Sequence, residues 1–170
     1  MILTKHPLTE KWELVDEVKK NSSEEDYYQR ICYALAHQKS KGVTSVVSFI
    51  DIDAVAEYRA IRGAVRAKQF GKEIGVDLYL ASQTLKGVVS NYSRRLLETC
   101  LTEGWLDVIG SLPKADFNTD RHLDTVCSMA RAAKLPLHVH IDQNNTPTEK
   151  ETEQLALKTI QFGMEGQVTA

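Results

Sequence analysis

Short apolar runs alternate with longer amphipathic stretches along most of the chain. The runs that begin near residues 43, 76, 105 and 137 are rich in aliphatic and β-branched side chains, which is typical of buried strands. Between them, apolar residues recur three or four positions apart, which is typical of amphipathic helices. Because the runs start about thirty residues apart, the length of a βα unit, the pattern predicts an α/β fold built on a parallel sheet.

The first of these runs, Val43–Ile50, is almost continuously apolar, which is typical of a parallel strand covered on both faces. A shorter run at the end of the sequence is typical of the first residues of a further strand. The predicted strands are Val43–Ile50, Val76–Ala81, Trp105–Ile109, Leu137–Ile141 and Gln167–Ala170.

Two helices are predicted ahead of the first strand. The first covers residues 8–20, and the second runs from a capping box formed by Ser22 and Glu25 to Gly42, which suits a helix C-terminus. Caps for later helices are predicted at Asp53, at Thr119, and at Thr148 with Glu151. The pattern therefore predicts a single domain over 1–170, with a helical lead-in at 8–41 and βα repeats at 43–170.

The repeat leaves two architectures open, an open doubly wound sheet or part of a (βα)₈ barrel, whose full form needs about 250 residues. In both, ligands bind at the carboxyl ends of the parallel strands. Asp51, Gln83 and His140 fall at those ends, so we expect the functional site there. Asp51 and Asp53 are equally well explained as helix caps and loop-solvating residues.

The densest possible chemistry lies at the end of the fourth predicted strand. His138, His140 and Asp142 alternate, so on a strand they share one face and offer two imidazoles and a carboxylate. Those groups are ligands for Zn²⁺ or Fe²⁺, and the polar Gln143 and Asn144 follow them. The same histidines are equally well explained as hydrogen-bonded residues of the core.

Composition and charge exclude several classes of function. The 21 basic and 23 acidic residues are interspersed and give a net charge of -2, so nothing indicates a nucleic acid partner. Residues 1–7 lack the apolar core of a signal peptide, and no apolar run approaches membrane-spanning length, so we expect no membrane partner. Cys32, Cys100 and Cys127 lie in apolar helical patterns, which favours reduced thiols in a cytoplasmic protein. No GxGxxG, GxxxxGK[ST] or GxSxG motif follows a predicted strand.

Five segments, in chain order, resemble the amidohydrolase superfamily and, within it, the cytosine deaminase-like metal-dependent hydrolases. They correspond to the second to fifth barrel strands of that family and to the start of the sixth. The resemblance therefore implies a partial TIM (β/α)₈ barrel. The matching segments are Gly42–Asp53, Leu80–Gln83, Asp107–Pro113, Leu137–Gln143 and Gly166–Ala170.

The resemblance implies a hydrolase that acts on C–N bonds of small cyclic amidines and amides with one or two divalent metals, commonly Zn²⁺ or Fe²⁺. It implies that His140 is the fifth-strand metal ligand, with His138 as an additional residue, and that Gln83 contacts a pyrimidine ring. Gln143 stands where the family has a proton-shuttling carboxylic acid, and an amide cannot exchange a proton in the useful pH range. The candidate substrate-binding residues are Gln83, Asp51 and Asn144, and the candidate metal ligands are His140, His138 and Asp142.

The family's first-strand His-x-His pair, its sixth-strand His and its eighth-strand Asp have no counterpart in these residues. A catalytic zinc usually has three protein ligands, so we expect weak or no catalysis from this chain by itself. The alternative is a non-catalytic half-barrel that binds a small polar ligand or serves in assembly. A sheet cut from a barrel leaves edge strands and an apolar inner face, so both hypotheses predict a homo-oligomer.

Overall fold

The computed structural model describes residues 8–144 and 146–170, in which helices alternate with five strands. Residues 1–7, on which the signal-peptide inference rests, lie outside the described residues. None of the described helices is long and apolar enough to cross a membrane. The elements are α1 (Leu8–Lys20), α2 (Glu24–Ser40), β1 (Ser45–Asp51), α3 (Arg59–Ile74), β2 (Asp77–Gln83), α4 (Asn91–Thr102), β3 (Ile109–Ser111), α5 (Thr119–Ala133), β4 (Leu137–Val139), α6 (Glu151–Phe162) and β5 (Val168–Thr169), with a 3₁₀ turn at Pro113–Ala115.

The strands lie side by side in the order in which they occur along the chain. β1 pairs with β2 and β3–β4–β5 pair in sequence, all in parallel, while a bridge between Ala81 and Val108 joins the two groups. A doubly wound sheet reverses its strand order at a switch point, and no such reversal occurs among the five described strands. Of the two architectures that the sequence left open, the structure is the wall of a (β/α)₈ barrel.

The helices cover one face of this wall. α3 turns Ile61, Ala64 and Ala67 fully into the core, and it crosses the lead-in helix α2 very closely. At the crossing, a Cβ placed on Gly63 would lie 2.7 Å from the carbonyl oxygen of Glu24, so only glycine allows this approach. The helical layer therefore includes the lead-in segment as well as the βα repeats.

The opposite face of the sheet, called the inner face below, is open among the described residues. Val47 of β1 is 45% exposed and Tyr79 of β2 is 43% exposed, whereas Leu78 and Leu80, which face the helices, are buried. The prediction that the first strand is covered on both faces is therefore wrong. Its apolar run is that of a barrel strand, which has one side toward the helices and one toward the barrel interior.

Several element ends differ from the sequence predictions. The N-cap of α2 is Ser23 with Asp26 in the capping box, because the Ser22 hydroxyl donates to the Val18 carbonyl of α1 instead. α5 is capped by Asn118 rather than Thr119. The third strand begins later than predicted, since Asp107 already uses its side chain to accept the Leu80 amide.

Helix α3 also begins later than predicted. The Asp53 carboxylate accepts the amides of Val55 and Ala56, so it caps a turn that precedes α3, which itself starts at Arg59. The capping box predicted at Thr148 does not form, and Lys150 is the N-cap residue of α6. In each case the predicted helix exists but a different group begins it.

The three cysteines are buried and free, as predicted. Burial raises the pKa of the Cys100 thiol to about 12 and that of Cys127 to about 11. At neutral pH both are protonated and weakly nucleophilic, so they act as small apolar side chains of the core.

Candidate functional site

The carboxyl ends of β1 and β2 bring two of the predicted site residues together. In the parallel register, Asp51 lies beside Gln83 and Phe49 lies beside Ala81. Because side chains two apart share a face, Asp51 and Gln83 continue the same inner-face columns as Phe49 and Ala81. The sequence expectation that these two polar residues meet at one edge of the sheet agrees with this register.

His138 and His140 also lie on the inner face, on the far side of β3. Gly110 of β3 is the register partner of His138, and the His140 amide donates to the Ser111 carbonyl at 2.9 Å. Both imidazoles face a phenyl ring of β1, with Phe49 at 4.5 Å from the His140 ring centre and 6.4 Å from that of His138. A small pocket is lined by Phe49, His138, Val139, His140, Thr169 and Ala170.

Asp142 does not continue the column of the two histidines. β4 ends at Val139, and Asp142 has a φ of +50°, a left-handed conformation that turns the chain. Its carboxylate accepts the amide of Glu151 and the hydroxyl of Thr152, while its own amide donates to the Glu151 carboxylate at 2.9 Å. Asp142 thus secures the first turn of α6, the position that the sequence assigned to Thr148.

The described residues do not complete a metal site. Within residues 8–144 and 146–170, no three His, Cys, Asp or Glu side chains are grouped so that they could hold one ion. His138 and His140 are two imidazoles, fewer than the three protein ligands of a catalytic zinc. The donor set of the described residues therefore does not by itself complete the metal centre that the resemblance implies.

Behind Asp51 lies a buried ion cluster centred on Lys19 of α1. The Lys19 ammonium is 2.6 Å from the Asp53 carboxylate and 3.1 Å from that of Asp51, and its side chain is only 3% exposed. Asp16 is 3.7 Å from the same ammonium and binds Lys86 of the loop after β2 at 2.6 Å. The lead-in helix is thereby fastened to the carboxyl ends of β1 and β2.

The cluster sets the charge states of its members. Burial would lower the pKa of Lys19, but the hydrogen bond to Asp53 and the charge of Asp51 hold that pKa above its ordinary value. Burial would raise the pKa of Asp53, yet hydrogen bonds from Lys19 and from backbone amides keep it below the ordinary value. For Asp51, burial outweighs the Lys19 charge and raises its pKa. Of Asp51 and Asp53, Asp51 is therefore the more easily protonated.

Gln83 presents a buried oxygen without a partner. Its Oε1 makes no hydrogen bond, although a buried polar atom usually finds one. Gln143 and Asn144 are exposed on the loop after β4, and the backbone amide of Asn144 donates a hydrogen bond to the Glu149 carboxylate at 3.0 Å. Gln83 thus carries a buried, unsatisfied acceptor at the site, while Gln143 and Asn144 are exposed on the loop beside it.

The loops beside Gln83 are held by a second polar cluster. The Asp116 carboxylate accepts the amides of Val88 and Val89 and is 2.7 Å from Nδ1 of the fully buried His122. Burial would raise the pKa of Asp116, but the His122 hydrogen bond and the two amides keep it low. This arrangement joins the loop after β2 to the loop after β3.

Sequence reasoning missed Lys19, Phe49 and Gly110. Phe49 precedes Asp51 by two positions, so strand periodicity alone would have placed it on the same face. No local signal marks Lys19, because its partner Asp53 lies 34 residues away. Such a contact becomes visible only when the lead-in helix is packed on the sheet.

Comparisons with known proteins fit this architecture. No model of a protein family matches the chain. An uncharacterized protein from Haemophilus influenzae is 44% identical over 165 residues, which are 95% of this chain and 59% of that protein. N-isopropylammelide isopropyl amidohydrolase from Pseudomonas sp. is 26% identical over 153 residues, which are 88% of this chain and 38% of that enzyme. The chain therefore spans less than two thirds of the length of either relative.

Two solved structures show the same fold. The crystal structure of 5-methylcytosine deaminase from Klebsiella pneumoniae liganded with phosphonocytosine has a TM-score of 0.86 at 23% identity, over 95% of this chain and 40% of that one. The same enzyme liganded with 5-fluorocytosine gives a TM-score of 0.85 at 23% identity, over 95% and 39% of the two chains. The resemblance carried by the strand motifs is thus confirmed, and the chain has the fold of part of a TIM-barrel amidohydrolase of the cytosine deaminase type.

Proposed function

We propose that this chain supplies one wall of a cytosine deaminase-like amidohydrolase, a hydrolase of C–N bonds in small cyclic amidines and amides. The observation that carries the proposal is the common placement of Asp51, Gln83 and His140, on one open face at the carboxyl ends of parallel strands. Ligands of (β/α)₈ enzymes bind at that end of the barrel. The relatives named as a deaminase and an amidohydrolase support the same type of reaction.

In this proposal Gln83 binds the substrate. Its unpartnered Oε1 accepts a hydrogen bond from a ring N–H or an amino group, which removes the cost of a buried acceptor without a partner. Asp51 adds negative charge next to it, and Asn144 contributes at the rim. Gln143 orients polar groups but cannot carry a proton, so this wall binds a substrate better than it transforms one.

His140 is the residue of this chain that we assign to a Zn or Fe centre, with His138 beside it. The remaining ligands then come from strands outside these 170 residues, because the described residues fall short of a complete set. The activity of the whole barrel accordingly depends on those strands. Substrate binding by Gln83 does not, and it is the part of the proposal that this chain tests directly.

Titration of the purified chain with 5-fluorocytosine, followed by ¹⁹F NMR, tests the proposal. Gln83→Leu removes the acceptor, and the loss of about 1 kcal/mol for one hydrogen bond corresponds to about fivefold weaker binding. Gln69→Leu is the matched control, since Gln69 is exposed on α3, away from the inner face. Absence of binding at millimolar concentration, or equal effects of the two substitutions, would contradict the proposal.

The exposed inner face favours a second function, assembly of half-barrels into a homo-oligomer. Val47 and Tyr79 are apolar side chains on a face that a closed barrel would cover, and β1 has a free edge among the described residues. Sedimentation at micromolar concentration should then show a dimer or larger species that Tyr79→Glu dissociates. Tyr33→Glu is the control, because Tyr33 is 79% exposed on α2. A monomeric parent chain would exclude assembly.

A further inference from the structure

Two adjacent rows of side chains on the inner face of the sheet combine large rings on β1 and β4 with small side chains on the strands between them. Phe49 of β1 is the register partner of Ala81 in β2, and Gly110 of β3 is the register partner of His138 in β4. Ala81 in turn bridges to Val108 of the third strand, which precedes Gly110 by two residues and therefore shares its face. The Phe49–Ala81–Val108 row and the Gly110–His138 row are thus adjacent, and the small Ala81 and Gly110 lie on the middle strands between the large rings of β1 and β4.

The Phe49 ring lies over this small centre. A Cβ added to Gly110 would be 2.6 Å from Cε1 and 2.8 Å from Cδ1 of Phe49, and it would also collide with the Ser82 carbonyl oxygen. No side chain other than hydrogen fits beneath the ring at this position. Phe49 thus spans from β1 toward β4, where its ring centre is 4.5 Å from that of His140.

This position is directly below the candidate binding groups. Asp51 follows Phe49 by two residues and Gln83 follows Ala81 by two residues, each on the same face and nearer the carboxyl end. A ligand that enters from that end and reaches Gln83 meets the Phe49 ring next. The ring is half-buried, so part of its surface is available for contact.

We infer that Phe49 is the specificity-determining floor of the site and that it selects planar, unsaturated rings over saturated cyclic amides with the same polar groups. The inference rests on the proposed function, because it uses the same binding site. An aromatic ring pairs with another π-system in offset or tilted geometry and gains more than burial alone supplies. A puckered, saturated ring has no π-face and loses that gain.

Uracil and 5,6-dihydrouracil form a matched pair of probes, since they carry the same amide groups and differ only in the C5–C6 double bond. The measurement is the dissociation constant of each compound for the purified chain, taken from ligand-observed NMR titrations. We expect uracil to bind about three- to tenfold more tightly, the range of an added aromatic contact. Phe49→Leu should bring the ratio close to one, while Phe49→Tyr, which keeps the ring, should restore it.

Tyr79→Leu is the control for the loss of an aromatic ring from the inner face. Tyr79 lies in the row below Phe49, beside Val47, and should leave the preference for uracil unchanged. The circular dichroism spectrum of each variant identifies any that fails to fold. If Phe49→Leu does not fold, Phe49→Tyr is the decisive variant. A ratio of the dissociation constants of 5,6-dihydrouracil and uracil that differs from that of the parent would overturn the role of the ring.

The outcomes separate this inference from the proposed function. If the parent chain binds both compounds equally, or if Phe49→Leu keeps the preference for uracil, the role of Phe49 in specificity is disproved and the proposed binding function stands. If neither uracil, 5,6-dihydrouracil nor 5-fluorocytosine binds, the proposed function fails and the inference fails with it.

Discussion

Lys19 is the residue whose loss should damage this fold most at neutral pH. Its ammonium lies 2.6 Å from a carboxylate of Asp53 that is completely buried and 3.1 Å from Asp51. Lys19→Met keeps the length and the apolar stem of the side chain but leaves the fully buried carboxylate of Asp53 and the partly buried carboxylate of Asp51 without their cation. Breaking a buried ion pair in this way costs about 3–5 kcal/mol of folding free energy.

The pH dependence gives the prediction a second signature. In the parent chain, the lowered pKa of Asp53 contributes stability that is present above the ordinary value near 3.8 and is lost as the pH falls through the folded-state value. In Lys19→Met, Asp51 loses the cation that opposes its desolvation, so its pKa rises further above the ordinary value and its protonation stabilises the folded state. The difference in stability between parent and variant should therefore be largest at pH 7 and shrink toward pH 4.

Urea denaturation followed by circular dichroism at pH 7 and pH 4 measures both quantities. Lys20→Met is the matched control, because Lys20 is the next residue and its ammonium, which is exposed, pairs with the exposed Glu17 at 2.6 Å. We expect no measurable change from the control. A loss below about 1 kcal/mol for Lys19→Met at pH 7, or an equal loss at both pH values, would refute the assignment of a buried, charge-coupled cluster.

Three further predictions test other parts of the structure. Gly110→Ala should destabilise the chain by about 3 kcal/mol or prevent folding, since the new Cβ would collide with the Phe49 ring and a backbone oxygen. Urea denaturation measures the change in unfolding free energy, and an unchanged value would disprove the close packing of Phe49. Asp142→Ala should speed amide hydrogen exchange in the first turn of α6, whereas Asp142→Asn keeps an acceptor for the Glu151 amide and should leave exchange slow. Elemental analysis of the purified chain should find less than one Zn or Fe atom per chain, because two imidazoles do not complete a site; one tightly bound atom that His140→Ala removes would contradict this.

The alternation of strands and helices was predictable because it follows from local periodicity and from the even spacing of the βα units. The helix bounds of α1 were predictable for the same reason. The order of the strands in the sheet was not predictable, because that pattern fits both a doubly wound sheet and the wall of a barrel. The start of α2 was not, because the sequence offers two overlapping capping boxes, Ser22 with Glu25 and Ser23 with Asp26. The choice between them depends on Val18 of the preceding helix, which accepts the Ser22 hydroxyl.

In the candidate site, too, the features set by local sequence pattern were predictable and those set by contacts with another element were not. Asp51 and Gln83 each follow the end of a predicted strand, so their meeting at one edge required only parallel strands of matched register. Asp142 was placed with the histidines on the assumption that the strand continues to Ile141. The strand ends at Val139, and a contact with the first turn of α6 turns Asp142 away. Alternation predicts a common face only as far as the strand itself extends.

The polar contacts around the site explain how one wall of a barrel can be organised without the rest. Lys19 fastens Asp51 from the side of the lead-in helix, Asp116 joins the loops after β2 and β3, and Asp142 joins the end of β4 to α6. Each contact is made within this chain and lies at the carboxyl edge. The positions of Gln83, Phe49 and His140 are therefore set by contacts within this chain. Under the proposed function, closing the barrel then supplies the remaining ligands and covers the inner face without rearranging this wall.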